Sequence, residues 1–459
     1  MIYDHIVVGS GIGGALVFNN LDNALLIEKD SNLGGCASTF KKNGKFYNAG
    51  ATTFIKNNII DKLINKKLNL KKSTTAIRII QNNKIIDRTT NFDKFIKDLN
   101  TSYPHPNNKI FWSKIKTLDE RFWEIKNIYY SKHSIKSYFK TFVFALKLLF
   151  VFRLDLFRTA DSFIKKTLPN LSQEYLNMID AQCLITLQEK SDKVPLLGLA
   201  LGLAYPFKDI YYPVGGMGNI IESILENKNI KRNEKVVLIK KEKTDFLVTT
   251  NKDKYRCKNI ILNSSIYSSK YLFCNKKIQK YYDKFEFSDK SAFVVNMFIK
   301  TKQKFLHHYQ IILNNNIPNC ISNSFFISFS DLDDPKMSDG GYSLTISTHT
   351  KALLWKNLSK DEYKTQKLRT QNFILKEFLT YFGEIHKNDI ETIFSATSTT
   401  YQNYISRLNC GGKAVSFKNI LKIPSLKTPF KGLYNVGDTT IAQGWPGVAI
   451  GSNIVLGEL

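Results

Sequence analysis

One stretch constrains this chain more than any other: IVVGSGIGGALVFNNLDNALLIEKD, residues 6–30. Ile6, Val7 and Val8 form a short apolar run of the kind that makes a buried parallel strand. Gly9-Ser10-Gly11-Ile12-Gly13-Gly14 follows, Ala15 to Leu21 reads as a short helix, and Leu25-Leu26-Ile27 reads as a second strand ending at Glu28. Strand, glycine turn, helix, strand and acid, in that order, describe a βαβ unit that holds a dinucleotide. Gly9 permits the tight turn, Gly11 lets backbone approach a pyrophosphate, and Gly14 lets the helix lie close on the sheet. The helix N-terminus presents free N–H groups to phosphate oxygens, with Ile12 and Gly13 in the turn before it. Glu28, with Lys29 beside it, stands where a carboxylate accepts hydrogen bonds from ribose hydroxyls, and its charge disfavours a 2′-phosphate at that point.

This unit alone leaves NAD and FAD undivided. Two further stretches divide them. In EKDSNLGGCASTFKKNGKFYNAGATTF, residues 28–54, Gly34-Gly35 is followed by a strand at Phe46-Tyr47 and by Gly50-Ala51. Near the other end, GLYNVGDTTIAQGWPGVAIGSN, residues 432–453, runs from a strand through Gly437-Asp438 into a glycine-spaced helix start that includes Gly447 and Val448. A nicotinamide dinucleotide has no need of so distant an element. A flavin does, because its ring and ribityl chain extend well beyond the first βαβ unit.

On these residues the chain resembles the phytoene desaturase and carotenoid isomerase group of FAD-dependent oxidoreductases, within the amine oxidase-like flavoproteins. YYPVGGMGNIIESI (211–224) is similar to that group's YPxGGMG segment. LNSSIYSSKYLF (262–273) falls where the group has an SNAxP-type strand end. TTYQNYISRLNCGGKAVSF (399–417) resembles the stretch before its final FAD motif. That final motif usually reads GDS-x-x-PGQG-x-x-G. Here it runs Gly437-Asp438-Thr439-Thr440-Ile441-Ala442-Gln443-Gly444, without the Pro-Gly pair. The resemblance implies an α/β fold: a Rossmann-like FAD-binding domain with a second, α+β substrate domain built on an antiparallel sheet. Residues 1–70, 211–265 and 396–459 would make the first; residues 71–210 and 266–395 would make the second. It also implies backbone contacts to adenine near Val237, and Asp438 beside the ribityl or phosphate region. Arg407 would either counter the pyrophosphate, shape the cavity or form a structural salt bridge. Gly215 and Gly216 are either a substrate-side or flavin-side turn or a plain helix start.

The implied chemistry is oxidation of a C–C bond in a long apolar isoprenoid or polyene, with hydride passing to flavin and a quinone or oxygen reoxidising it. Polyene cis–trans isomerisation and saturation use the same fold and remain open. The altered 437–444 segment also leaves a non-catalytic flavin-binding scaffold open. The acid/base residues are undetermined. Arg153, Asp155 and Asp161, near an aromatic helix, are candidates, against the plainer reading of surface charges.

Composition adds limits. The formal charge is +27, but the lysines are spread over the whole chain with abundant asparagine, and no nucleic-acid-binding module is recognisable, so no nucleic-acid partner is expected. No cysteine pair has metal-site spacing, and the adjacent His307 and His308 cannot face one ion from a regular element, so no metal is expected. The opening strand leaves no room for a signal peptide, so a cytoplasmic protein is expected. In IKSYFKTFVFALKLLFVFRLDLFR, residues 135–158, Lys136, Lys140, Lys147 and Arg158 share one helical stripe among phenylalanines and leucines. Two readings stay open. The helix lies in a membrane interface with its cations towards anionic headgroups, on the inner face of the cytoplasmic membrane, or it packs in the substrate domain with a solvated lysine edge.

Overall fold

The computed structural model describes residues 2–459. Two seven-stranded sheets organise the chain. In the first, Ile2–Val8 lies between Ala24–Ile27 and Lys254–Leu262, parallel to both. These are the apolar runs expected of strands covered on both faces, and Ile6, Val7, Leu25 and Leu26 are fully buried. Lys254–Leu262 also pairs in parallel with Leu433–Asn435. It therefore draws the last strand of the chain to the side of the first. Val236–Lys241 and Phe246–Thr250 complete that edge as an antiparallel pair.

The helix Ile12–Asn19 covers one face of this sheet and packs on the final helix, Gly444–Leu456, and on Met217–Leu225. Their shared core contains Leu16, Val17, Ile221, Ala449 and Val455. Met217–Leu225 follows directly on the strand Ile210–Pro213, through Gly215 and Gly216 at φ +84° and +85°. Its free N–H groups are taken by the protein itself: Met217 N donates to Asn48 Oδ1, Gly218 N to Thr39 Oγ1 and Gly215 N to Asp334 Oδ2. Those two glycines are a helix start, the plainer of the two readings.

The second sheet runs Ile390–Ala396, Ser291–Ile299, Tyr342–Thr350, Ser324–Phe329, His308–Ile312, Ile77–Gln81, Lys84–Arg88. One face carries Phe293, Val295, Ile311, Ile327 and Ile346, and the long helix Lys360–Tyr381 closes over it through Ile374 and Phe378. The opposite face is largely polar. Asn296, His308, Gln310, Ser324, Ser328 and Thr345 are all buried there. They satisfy one another: Thr345 Oγ1 donates to Asn296 Oδ1, and Gln310 Nε2 reaches Ser324 Oγ at 3.5 Å.

The aromatic helix spans Ile135–Phe152, capped by Ser134 Oγ on Ser137 N at 3.1 Å. The lysine stripe read from its sequence does not form a free outer face. Lys140 pairs with Glu458 at 2.9 Å, Lys147 Nζ donates to the Lys126 carbonyl and Arg158 bonds Asp155. Lys140 and Arg158 turn to carboxylates and Lys147 to a carbonyl, Lys136 is exposed, and the apolar residues point out. Among the described residues, no helix is long and apolar enough to cross a membrane.

His307 and His308 tie the second sheet to the loop that precedes the short strand Phe54–Ile55. Their ring centroids are 3.9 Å apart. His308 Nδ1 bonds Ser328 Oγ and its Nε2 bonds Thr53 Oγ1, each at 3.0 Å. His307 lies between the carbonyls of Phe329 and Thr52. Burial holds His307 down to about 4, and His308 well below its ordinary 6.5, so both are neutral. Among the described residues no cluster suited to a metal exists. The unfolded chain therefore binds more protons than the folded one wherever pH lies between the two values. Stability is expected to be flat above pH ~6.5 and to fall as pH drops from there towards ~4, by about 3 kcal/mol for His307 alone. Melting temperature measured against pH checks this; a curve level from pH ~7 to ~5 contradicts it.

Candidate functional site

The glycine turn is built as its spacing requires. Gly9 has φ +95°, its N–H donates to the Ile27 carbonyl at 2.9 Å, and a Cβ on Gly14 would lie 2.1 Å from the Gly9 carbonyl oxygen. The helix thus sits against the strand with no room for a side chain. Gly11 is its N-cap, no side chain caps it and no acid stands in its first turn. The first N–H groups of an α-helix lack intrahelical partners, so those of Ile12 and Gly13 face the half-exposed turn ready for an anion. A pyrophosphate suits this donor set.

Glu28 is held rather than free. Its Oε2 accepts from Ser10 N at 2.8 Å and Ser10 Oγ at 2.6 Å, and its Oε1 accepts from Asp30 N at 3.1 Å. Ser10 Oγ accepts in turn from Gly34 N at 3.0 Å. A carboxylate has about four lone-pair positions, so Glu28 can tie the turn to Gly34 and still accept a hydroxyl. Lys29 pairs with Asp30 at 2.7 Å instead of facing the turn. Beside Glu28 the backbone runs to Glu234, whose N–H donates to the Glu28 carbonyl. Val237 follows at a register shift in its strand and is half exposed.

The two glycine turns and the C-terminal segment meet at one place. A Cβ on Gly35 would lie 3.7 Å from Gly11 Cα, and one on Gly13 would fall 2.8 Å from Gly437 N. Asn263, at the end of Lys254–Leu262, sits between them: its Nδ2 reaches the Gly9 carbonyl at 3.4 Å, and a Cβ on Gly11 would fall 2.6 Å from that same nitrogen. Asn263 and Ser10 carry no motif signal of their own; only the strand end at 262–264 marked the region.

Next to Gly437, Asp438 accepts from Arg407 Nη1 at 2.7 Å and Nη2 at 2.6 Å. Of the readings open for Arg407, the salt bridge is the one realised. Burial alone would raise Asp438, but the guanidinium's charge and hydrogen bonds hold its carboxyl below the usual range. Burial would lower Arg407, but Asp438 holds it protonated. Arg407 Nη2 also reaches Cys36 Sγ at 3.6 Å, while burial pushes the Cys36 thiol up and Cys410 to about 12, so neither is a thiolate. Around this pair several buried polar atoms have no protein partner: Arg407 Nε, Asn409 Oδ1, Gln443 Oε1 and Trp445 Nε1. Unmet donors and acceptors of this kind are uncommon in a closed core. They suit a polar heterocycle that is both donor and acceptor. Gly444 (φ +71°) opens the final helix without a side-chain cap, and Gly447 and Val448 lie in its first turn against Ala442.

Arg153, Asp155 and Asp161 are elsewhere. Arg153 is exposed at the end of the aromatic helix. Asp155 pairs with Lys114 and Arg158, which outweigh its burial and keep it ionised, and Asp161 pairs with Lys165 at 2.8 Å on a neighbouring helix. None of the three meets the glycine turns or the 407–448 segment through any of these bonds. Asp155 and Asp161 thus stand in ion pairs and Arg153 is exposed, which is the plainer reading of these charges.

The sequence matches the family of flavin-containing amine oxidoreductases over residues 16–452. The chain belongs to that family. It is an FAD-dependent oxidoreductase by family and by fold. It is 24% identical to prolycopene isomerase 2, chloroplastic, of an Oncidium hybrid cultivar, over 95% of this chain and 80% of that one. An oxidoreductase of Methanosarcina mazei shares the fold with a TM-score of 0.67 at 15% identity, each chain covered to 99%. A CLA-producing fatty acid isomerase of P. acnes does so with a TM-score of 0.59 at 10% identity, over 100% of this chain and 98% of that one. The fold class expected from the sequence is thereby established, as is FAD for the cofactor.

Gly14→Ala pushes a methyl into a backbone carbonyl that cannot swing away. Flavin affinity is expected to fall on the order of tenfold or more, the effect of losing only ~1.4 kcal/mol, measured by titrating the apoprotein with FAD. Unchanged affinity contradicts the turn's assignment. Asp438→Asn leaves Arg407 buried without its counter-ion. Since Asp438 is itself partly open, a loss of about 2–4 kcal/mol is expected in urea unfolding.

Proposed function

We propose that this protein uses FAD to rearrange double bonds in a long apolar polyene or isoprenoid, with geometric isomerisation as the leading reaction. The observation that carries this reading is a prolycopene isomerase relative aligned over 95% of the chain. The P. acnes fatty acid isomerase, which shares the fold, supports the same direction. Desaturation, with a quinone or oxygen as electron acceptor, is the second reading; the flavoprotein family supports it without favouring that bond or that acceptor.

FAD, when bound, supplies reversible electron and hydride acceptance. The chain's own residues bind and orient. In this reading Gly11, Ile12, Gly13 and Gly14 hold the pyrophosphate and Glu28 the adenosine ribose, with the adenine beside Val237. Gly34, Gly35, Gly437, Asp438, Gly447 and Val448 flank the remainder, and Lys29 steadies the ribose end through its ion pair. Arg407 and Asp438 neutralise each other, so the site carries little net charge towards the substrate. His307, neutral, meets the Thr52 carbonyl, and His308, neutral, meets the Thr53 hydroxyl, so both hold this loop in place. No paired acid and base stands ready in this constellation, which suits a reaction whose bond changes are driven by the flavin. The first sheet with its flanking segments acts as the flavin unit and the second as the substrate unit.

The test is anaerobic. Protein with chemically reduced flavin is mixed with a poly-cis polyene, and products and flavin spectrum are followed together. Conversion to trans isomers over many turnovers, with the flavin still reduced, is the expected result. Stoichiometric bleaching of oxidised flavin by a more saturated isoprenoid, with new conjugation in the product, would replace isomerisation by desaturation. Bound FAD with no turnover of either kind would favour a scaffold.

A further inference from the structure

We propose that the outward face of the helix Ile135–Phe152, continued by the turn Arg153–Phe157, docks this protein on an anionic lipid bilayer. The proposal stands apart from the flavin chemistry. Along the helix Ile135, Phe139, Phe142, Leu146, Leu149 and Phe150 are all exposed, with Phe139 at 67%, Phe142 at 59% and Phe150 at 81%. Their spacing of four and three residues puts them on one stripe. Leu154 and Phe157 extend it beyond the helix end at 80% and 63%. Only Ser137 and Phe152 of the whole helix are buried. Single exposed apolar side chains need no explanation; a continuous row of eight does.

Two observations select the occupant. The first is charge. From Arg121 to Arg158 the sequence carries eight lysines and arginines against two carboxylates, Glu124 and Asp155, and Asp155 is already paired with Lys114 and Arg158. The helix itself holds no acid. The nearby segment 413–427, joined to this region through the Tyr130 hydroxyl on the Ile423 carbonyl and Ser131 on Ser425, adds four lysines and no acid. It also exposes Val415, Phe417 and Ile420. A second copy of the chain docked face to face would set these cations against themselves, because an isologous contact pairs a patch with its own image. Phosphate headgroups answer the same charge favourably. The second is shape. Between this helix and Asn108–Glu124 runs an open groove of about 580 Å³, lined by Ile125, Val143, Leu146, Phe150 and Val151 together with Arg121, Lys126, Lys147 and Glu124. Apolar walls that also carry three cations against one carboxylate match an acyl chain with its anionic headgroup.

The orientation differs from that of a helix held by its lysines. Lys140 and Lys147 are engaged by the protein, so aromatic side chains make the deepest contact and the cations act at the edges. Binding should then depend on both anionic lipid and apolar contact.

Flotation of the holoprotein with vesicles of phosphatidylcholine, with and without phosphatidylglycerol, tests this. Binding is expected to the mixed vesicles and to weaken on the order of tenfold or more for each of Phe139→Ser, Phe142→Ser and Phe150→Ser. All three sites are exposed, and flavin absorbance and circular dichroism report that each variant is folded. Phe150→Trp preserves the apolar face, and the fluorescence it adds to that of the wild-type protein is expected to be quenched by brominated lipid. The proposal is overturned if the wild-type protein stays unbound with phosphatidylglycerol-containing vesicles, if the serine variants bind as well as wild type, or if the fluorescence added by Phe150→Trp is unquenched. It is also overturned if sedimentation shows a stable dimer that the serine substitutions dissociate.

Discussion

The structure depends on one close meeting: the first glycine turn of the chain against a strand end and a loop drawn from its far side. Lys254–Leu262 pairs in parallel with both Ile2–Val8 and Leu433–Asn435. Where the three strands end, Gly9, Gly13, Asn263 and Gly437 converge so tightly that a single added methyl on Gly13 would touch the Gly437 nitrogen. Ligands of open α/β sheets bind beyond the carboxyl ends of the strands. Here that position is shared by the beginning and the end of the chain. The uncapped start of Ile12–Asn19 faces it, and so does the uncapped start of Gly444–Leu456.

Around that meeting the protein has settled its own charges and left a particular set of polar atoms unmet. Glu28 is bound by Ser10 and Asp30, and Asp438 by Arg407. What lacks a partner is neutral or donor-type: Asn409 Oδ1, Gln443 Oε1, Trp445 Nε1 and Arg407 Nε. Leaving a buried donor or acceptor unmade costs about 1–3 kcal/mol each, so a bound ring that meets even two of them stabilises the folded chain appreciably. A ring bound there would couple its binding to folding through these residues.

The part of the site that is local in sequence was legible in it. Gly9 to Glu28 is one continuous βαβ unit, so spacing alone located turn, helix start and acid. The 432–453 stretch was legible for the same reason. Long-range pairings were not. Nothing in TTYQNYISRLNC marks Arg407 as the partner of Asp438 rather than of a phosphate, because the choice is made where two segments cross. The aromatic helix shows the limit most clearly. Its lysine periodicity was right, but a period says nothing about which face turns inward; Glu458, at the far end of the chain, decides that by pairing with Lys140. His307 and His308 evaded the strand alternation rule for a simpler reason. The strand begins at His308, so His307 lies outside it, and the rings reach the Thr52 carbonyl and the Thr53 hydroxyl. The polar face of the second sheet was also hidden, since its serines and threonines alternate with apolar residues as any half-buried strand does.

The central claim is that the chain's two ends close on one flavin. Equilibrium titration of the apoprotein with FAD, followed by flavin fluorescence and by thermal unfolding in parallel, tests it most directly. One FAD bound per chain, with the melting temperature rising as the site fills and no such rise with NAD, is the result the structure requires. A protein that takes up no FAD, or takes it up with no gain in stability, would contradict it.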